Sequence, residues 1–145
     1  AETNFKILHG ILPCGVNLMR WRILPSDKCT ICNEIKNISH LIYDCKYAKC
    51  IWEKISKITG TTICLEDIVL GERLNDDVNF AVSLITFIIY KEWLILSLEN
   101  KSRSRHMNTD VLVSELKHRN TVYKNVKCMK NCVGLIDYII EQLQN

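Results

Sequence analysis

Four side chains between residues 29 and 45 have the types and the spacing of a metal site. Cys29 and Cys32 form a C-x2-C pair, and the full pattern, C-x2-C-x7-H-x4-C, is completed by His40 and Cys45. Three thiolates and one imidazole are ligands of closed tetrahedral zinc sites, and a tight turn lets both cysteines of such a pair reach one ion. The sequence therefore predicts a zinc ion bound by these four residues.

The predicted site has four protein ligands and no open coordination position. Zinc in such a site stabilises the fold and does not act as a Lewis acid. Because metal binding and folding are coupled, removing the metal should unfold at least residues 25–50. The alternative is four buried side chains without a metal, since free cysteine is among the most buried residue types.

A loop and one short helix are predicted to position the ligands. Five residues along an ideal α-helix rotate a side chain by about 500°, so His40 and Cys45 cannot face one ion from an unbroken helix. The sequence predicts that the helix carrying His40 ends before Cys45, and that Asn37 caps its start.

Hydrophobic periodicity predicts further helices in the first 60 residues, with no Gly/Ser-rich or Pro-rich linker. Two short helices should end near Pro13 and Pro25, and a loop follows as far as residue 37. A helix over Lys46–Ile58 has an apolar face and a largely basic face. Gly60 is placed to end it.

The second part of the chain is also predicted to be helical. Leu65–Leu70 indicates one short helical turn, and Asp76 or Asp77 is placed to cap a long apolar helix that runs to about Asn100. A basic loop follows at residues 101–106, and two more helices at 112–126 and 135–143. The prediction is an all-α fold, a small helical domain with an embedded CCHC zinc knuckle. Residues 1–60 form its zinc-binding region, and residues 61–145 form a helical region packed on it.

The composition is that of a compact domain with an uneven charge. The chain has 145 residues, of which 48% are hydrophobic and 24% charged, and this excludes a disordered or low-complexity chain. Residues 1–60 and 101–145 each carry a net charge of +4, and residues 61–100 carry −5. Basic ends can contact phosphate, although runs of charge are usually solvated surfaces.

Cysteine content and the N-terminal residues indicate the compartment. Eight cysteines without a recognisable secretory signal favour a reducing, intracellular location, in the nucleus or cytoplasm. The most apolar stretch, Val78–Leu98, has an uncharged run of only 13 residues, and a bilayer span needs roughly 20. We therefore expect no membrane partner.

Motifs of catalysis are absent from the sequence. It contains no G-x-S-x-G, Walker loop, dinucleotide fingerprint or H-E-x-x-H, so this chain is not expected to be an enzyme. A thiol-based enzyme is the least favoured alternative. Cys128, Cys132 and His118 offer part of a second metal site, but packing is the favoured role for them because no fourth ligand is evident.

Short motifs surround the metal ligands on both sides. Leu8-His9-Gly10, Leu12-Pro13 and Asn17-Leu18 precede the first cysteine, while His40-Leu41 leads into Cys45 and Trp52 follows seven residues later. Over residues 5–58 the sequence resembles the zinc-binding domain that lies C-terminal to the reverse transcriptase in LINE-type, non-LTR retrotransposons. The family pattern tends to carry Glu-Thr where this chain has Lys36 and Asn37.

The resemblance implies a nucleic-acid-associated module that helps a reverse transcriptase hold its RNA template or target DNA. Its partners would be RNA or DNA and the reverse transcriptase domain of the same polypeptide. Trp21 and Tyr43 are candidates for stacking on bases. Exposed cations next to the predicted knuckle are candidates for phosphate contacts: Lys46, Lys49, Lys54, Lys57, Arg20, Arg22 and Lys28.

An alternative role is a protein-interaction or dimerisation scaffold. In that case the zinc is purely structural, and the apolar helix Val78–Leu98 docks the module on a polymerase or on a second copy of the chain. The candidate lysines would then be an ordinary solvated helix face.

Overall fold

The computed structural model describes residues 2–98, 109–126 and 129–145, and it is helical as predicted. Within these ranges there is no β-strand, and extended pairing is limited to one antiparallel bridge between Lys28 and Ile35. The elements are α1 (Glu2–Leu8), α2 (Gly15–Arg20), a π-helical turn (His40–Asp44), α3 (Lys46–Thr59), α4 (Leu65–Val69), α5 (Asp76–Leu98), α6 (Thr109–Tyr123) and α7 (Lys130–Gln144). The basic loop predicted at 101–106 lies outside the described residues.

The first two helices end earlier than predicted. Helix α1 stops at Leu8, and Gly10 then takes a left-handed backbone conformation with φ of 65°. Helix α2 stops at Arg20, and Arg22 is left-handed with φ of 60°. A residue in this conformation turns the chain out of a right-handed helix, so both helices finish before they reach Pro13 and Pro25.

Helix α3 has the two faces that the sequence predicts. Ala48, Trp52 and Ile55 are buried on one side, whereas the predicted basic positions are exposed on the other. Gly60 ends the helix with φ of 67°, a value that glycine adopts without steric cost. The helix therefore lies on the core with its lysines in solvent.

Helix α5 is the central element of the core. Its buried face includes Val82, Ile85 and Ile88, each with 0% of its surface exposed. Helix α7 packs against both α5 and α6, and α4 and the π-helical turn contact α5 as well. One hydrophobic cluster joins these residues to Trp52 and Ile55 of α3.

The start of α5 differs in detail from the prediction. Asn75, and not Asp76 or Asp77, provides the cap, because its Oδ1 accepts the backbone N–H of Val78 at 2.9 Å. An Asn in this position satisfies one of the unpaired amides of the first turn.

The apolar length of α5 also exceeds the expectation. Residues Asp76–Ile95 are long and apolar enough to cross a membrane by length and composition alone, with a mean hydropathy of 1.5, which corrects the prediction of a run too short to do so. In this fold α4, α6, α7 and the π-helical turn pack against the helix, and 44% of its apolar window is buried. Core helices of globular proteins have the same length and composition. The buried side of α5 is therefore not available as the docking surface of the scaffold alternative.

An ion pair between buried Asp67 and exposed Arg73 ties α4 to the loop that follows it. Asp67 is 1% exposed, and it accepts a hydrogen bond from Arg73 Nε at 2.8 Å and one from the backbone N–H of Cys64 at 2.9 Å. The Arg73 side chain is the main reason that the pKa of Asp67 is lowered to about 2. The charged carboxylate is thus favoured in the folded state.

We predict that Asp67→Asn destabilises the protein by about 1–2 kcal/mol at pH 7. A carboxylate with a lowered pKa stabilises the fold fully above its unfolded pKa of about 3.9, and the contribution is lost as the pH falls through the folded value. The difference in unfolding free energy between wild type and variant should therefore narrow between about pH 4 and pH 2 in urea titrations. The control, Asp76→Asn, changes an exposed carboxylate at the start of α5 and should cost less than about 0.5 kcal/mol; an equal loss in both variants would contradict the prediction.

Candidate metal centre

A tight turn brings the C-x2-C pair together. The Cys29 N–H donates to the carbonyl of Glu34 at 2.8 Å, and the Asn33 N–H donates to the carbonyl of Cys29 at 2.8 Å. Asn33 is left-handed with φ of 57°, a conformation that Asn tolerates better than most residues. The Lys28–Ile35 bridge closes the base of this turn.

Helix α2 lies close against the same ribbon. The Val16 N–H donates to the carbonyl of Lys36 at 3.2 Å, and the Lys36 N–H donates to the carbonyl of Asp27 at 2.7 Å. A Cβ on Gly15 would lie 2.9 Å from Lys36 Cβ and 3.0 Å from the Asp27 carbonyl oxygen. Only glycine allows this approach, which fixes the ribbon on the helical body.

The π-helical turn brings His40 and Cys45, which are five residues apart, to the same side of the chain. Asn37 Oδ1 accepts the His40 N–H at 2.8 Å, so Asn37 caps the turn as predicted. The Cys45 N–H donates to the His40 carbonyl at 2.8 Å, which is the i→i+5 hydrogen bond of a π-helix. The helical turn ends at Asp44, before Cys45, as predicted, but its π character was not predicted. This wider turn sets two residues five apart on the same side, which an α-helix does not.

Buried packing holds the π-helical turn in place. The indole N–H of Trp52 donates to the carbonyl of Ile42 at 2.7 Å, and both residues are at most 2% exposed. This bond satisfies a carbonyl that the irregular turn would otherwise leave unpaired in the core.

The four candidate ligands form one cluster. Their ligand atoms all lie within 4.8 Å of one another, and Cys29, His40 and Cys45 are buried while Cys32 is partly exposed. Cys45 Sγ is 3.8 Å from Cys29 Sγ and 3.8 Å from Cys32 Sγ. Zinc–sulfur bonds of about 2.3 Å in a tetrahedron place two sulfurs about 3.8 Å apart, whereas a disulfide needs about 2.05 Å. The separations fit a shared metal ion.

The imidazole of His40 is oriented for ligation. His40 is 4% exposed, and its Nε2 is buried with no hydrogen-bond partner among the described residues. Its Nδ1 lies 3.8 Å from a carboxylate oxygen of Glu34. Ligating histidines commonly direct the second ring nitrogen toward a carboxylate, so Nε2 is the atom left to bind a metal.

The thiols of the cluster are not equivalent in electrostatic terms. Burial opposes ionisation of Cys29, but the backbone N–H of Cys32 and the side chain of His40 outweigh it and lower the pKa of Cys29. Burial raises the pKa of Cys45, and the neighbouring Cys29 thiol raises it further. Three thiols this close cannot all ionise readily unless a cation neutralises them.

Lys36 belongs to this cluster and was not predicted to do so. It is 5% exposed, and its Nζ lies 4.9 Å from the centroid of the Trp93 ring on α5. Burial lowers the pKa of Lys36, and the Cys29 thiol opposes that effect. A lysine in a polar loop gives no signal of burial in the sequence; only its contact with α5 makes it internal.

The predicted phosphate contacts are exposed but lie on different elements. Four lysines share the outer face of α3, Arg20 and Arg22 stand at the end of α2, and Lys28 directly precedes Cys29. Lys54 Nζ donates to Thr109 Oγ1 at 2.8 Å, which ties it to α6. Phosphate contact stays a prediction for all seven cations, which are Lys46, Lys49, Lys54, Lys57, Arg20, Arg22 and Lys28.

The aromatic candidates differ in accessibility, and the second cysteine pair has a different partner. Trp21 is 48% exposed, whereas Tyr43 is partly buried with its hydroxyl 3.3 Å from the Ile63 carbonyl. Cys132 Sγ donates to Asp77 Oδ1 at 3.3 Å. Cys128 lies outside the described residues.

Comparison of the chain with protein-family models, with curated proteins and with solved structures finds no match. The fold and the site define an all-α protein whose Cys29, Cys32, His40 and Cys45 could together hold a metal ion.

If the cluster binds a metal ion, substitutions of Cys45, just before α3, and of Cys50, within α3, should differ in their effect on zinc content. Cys45→Ser removes a ligand, so the purified variant should contain less than about half a zinc per chain and lose about 3 kcal/mol or more of stability. Cys50→Ser changes an exposed thiol five residues later and should keep one zinc per chain. The measurements are metal analysis and thermal unfolding with and without a chelator; equal zinc content in the two variants would contradict the assignment.

Proposed function

We propose that the chain is a zinc-stabilised nucleic-acid-binding module of a non-LTR retrotransposon-type reverse transcriptase polypeptide. It would hold RNA template or target DNA, act inside the cell in the nucleus or cytoplasm, and carry no catalytic activity of its own. The observation that carries the proposal is the cluster of Cys29, Cys32, His40 and Cys45 in the C-C-H-C order. The motifs around it resemble those of that family's zinc-binding domain.

Zinc is the metal that the ligand set favours. Three thiolates and one imidazole suit zinc, and hard cations such as Mg²⁺ or Ca²⁺ prefer oxygen ligands. The four protein ligands leave no position for a substrate, so the metal would supply structural stability. The metal ion would then link the Cys29–Cys32 turn to the π-helical turn.

The metal would also fix the basic helix. Cys45 directly precedes α3, whose first residue is Lys46. A ligand at this position connects the start of α3 to the Cys29–Cys32 turn, and the apolar face of α3 is held by the core. The exposed lysines of α3 are thereby presented from a rigid element next to the metal centre.

Three lysines of that face are free to contact phosphate. Lys46, Lys49 and Lys57 are exposed, and none forms an ion pair with a residue in the described part of the chain. Lysines without protein counterions can replace the cations condensed on a nucleic acid, which makes binding depend on salt. Such contacts position a backbone and do not select bases.

A scaffold function is favoured by a different observation. Among the described residues, most large apolar side chains that are exposed lie between residues 5 and 35. Extensive exposed apolar surface marks protein contacts more often than phosphate contacts. In this alternative the N-terminal region would bind the polymerase or a second copy of the chain. The exposed apolar side chains of that region are Phe5, Leu8, Ile11, Met19, Trp21, Ile23, Ile31 and Ile35.

Charge reversal tests the nucleic-acid function. Lys49→Glu with Lys57→Glu should weaken binding to single-stranded RNA or DNA at least about ten-fold and lower the salt dependence of log K by about 2. Lys117→Glu with Lys130→Glu changes the net charge equally at exposed positions of α6 and α7 and should bind nearly as wild type. Fluorescence anisotropy across a salt series measures both effects.

Other results of the same titration separate the two functions. Equal weakening by both double variants would mean that only bulk charge matters, against a site on α3. Binding that is absent or insensitive to salt, together with a concentration-dependent dimer in analytical ultracentrifugation, would support the scaffold.

A further inference from the structure

Lys36 is a buried lysine that has no carboxylate partner among the described residues. Its exposed fraction is 5%, and no ion pair joins it to an acidic residue within the described ranges. Taking an ammonium group out of water costs several kcal/mol unless it meets a compensating charge. Lysines are therefore almost never fully buried without a partner.

Three thiols and one indole interact with this lysine in the described part of the chain. Cys29, Cys45 and Cys32 all act on its charge, and Trp93 of α5 presents its ring face at 4.9 Å. An indole face attracts a cation, but this attraction alone does not offset the cost of burying an ammonium group. The rest of the compensation must come from the sulfurs, and neutral thiols provide little.

The charge of a metal-loaded centre accounts for the buried ammonium. A divalent cation, three thiolates and a neutral imidazole sum to −1, and one ammonium group brings the total to zero. Without Lys36 the loaded centre would leave a net negative charge in a buried position. Backbone hydrogen bonds at Val16 and Asp27 place the lysine there, and Gly15 makes the room for it.

We propose that Lys36 is the counter-ion of the metal centre, a positioning residue that neutralises the three thiolates and connects them to α5 through Trp93. The inference rests on the proposed metal site. It adds the ammonium group of Lys36 to the metal ion and its four ligands, so that the net charge of the whole centre is zero. Two consequences follow: tighter zinc binding, and zinc-bound sulfurs that react more slowly with electrophiles.

Charge removal at Lys36 tests the proposal in the full-length chain. Lys36→Met keeps the apolar stem and removes the ammonium group, and Lys36→Arg keeps a positive charge. Lys117→Met removes an exposed lysine from α6 as a control. Zinc affinity is measured by competition with a chromophoric chelator, and thiolate reactivity by the rate of alkylation of the zinc-loaded protein.

The expected result is a zinc affinity about 10–100-fold weaker for Lys36→Met, with faster alkylation. Lys36→Arg and the Lys117→Met control should stay close to wild type. If wild type binds one zinc and Lys36→Met matches it in affinity and alkylation rate, the inference is wrong and the metal site stands. If Lys36→Arg is as weak as Lys36→Met, the lysine matters for shape alone and the inference is also wrong. If wild type binds no zinc, the proposed function itself fails.

A change of ligand charge gives a second, independent test. Cys32 is the least buried of the three cysteines, and Cys32→His converts the loaded centre from −1 to neutral. In that background Lys36→Met should reduce zinc affinity less than about two-fold, because no negative charge remains to be compensated. If Lys36→Met alone prevents folding, adding Cys32→His should restore it. An equal loss in both backgrounds, or no restoration, overturns the inference.

Discussion

One backbone hydrogen bond determines whether the metal cluster exists. The bond from the Cys45 N–H to the His40 carbonyl, 2.8 Å long, closes a turn one residue wider than an α-helical turn. A regular α-helix would rotate the two side chains away from each other by about 140°. The π-helical turn instead keeps both on the side of the Cys29–Cys32 turn. Single π turns are rare and often mark functional sites, which agrees with this placement.

The ligand-bearing segment has little core of its own. Between α2 and the π-helical turn it contains one isolated bridge, and ordering each backbone residue costs about 1–2 kcal/mol of conformational entropy. The helical body supplies some contacts, through Gly15 against the ribbon and Trp52 under the π-helical turn. A metal held at one point by four side chains would supply the remainder, which is why metal binding and local folding should be inseparable here.

Fold and proposed function meet at α3. The helix follows Cys45 directly, packs its apolar face against the π-helical turn and α7, and presents lysines outward. The apolar helix α5, which by composition alone suits a docking surface, is used to build the core instead. Most of the large apolar side chains that the described residues expose lie instead between residues 5 and 35. The exposed lysines of α3 and these apolar side chains thus lie on different segments of the chain.

Five features could be predicted from the residues alone: the helical class, the two faces of α3, the glycine that ends it, the Asn37 cap and the four residues of the cluster. Each of these depends on spacing along the chain, which periodicity and ligand motifs record directly. The π-helical turn and the burial of Lys36 could be seen only in the folded structure, because they depend on which distant residues lie nearby. The early ends of α1 and α2 and the Asn75 cap are local features, but hydrophobic periodicity does not resolve them. The Trp52 indole N–H donates a hydrogen bond to the π-helical turn. Trp93 of α5 lies against Lys36, which is 57 positions away in the chain.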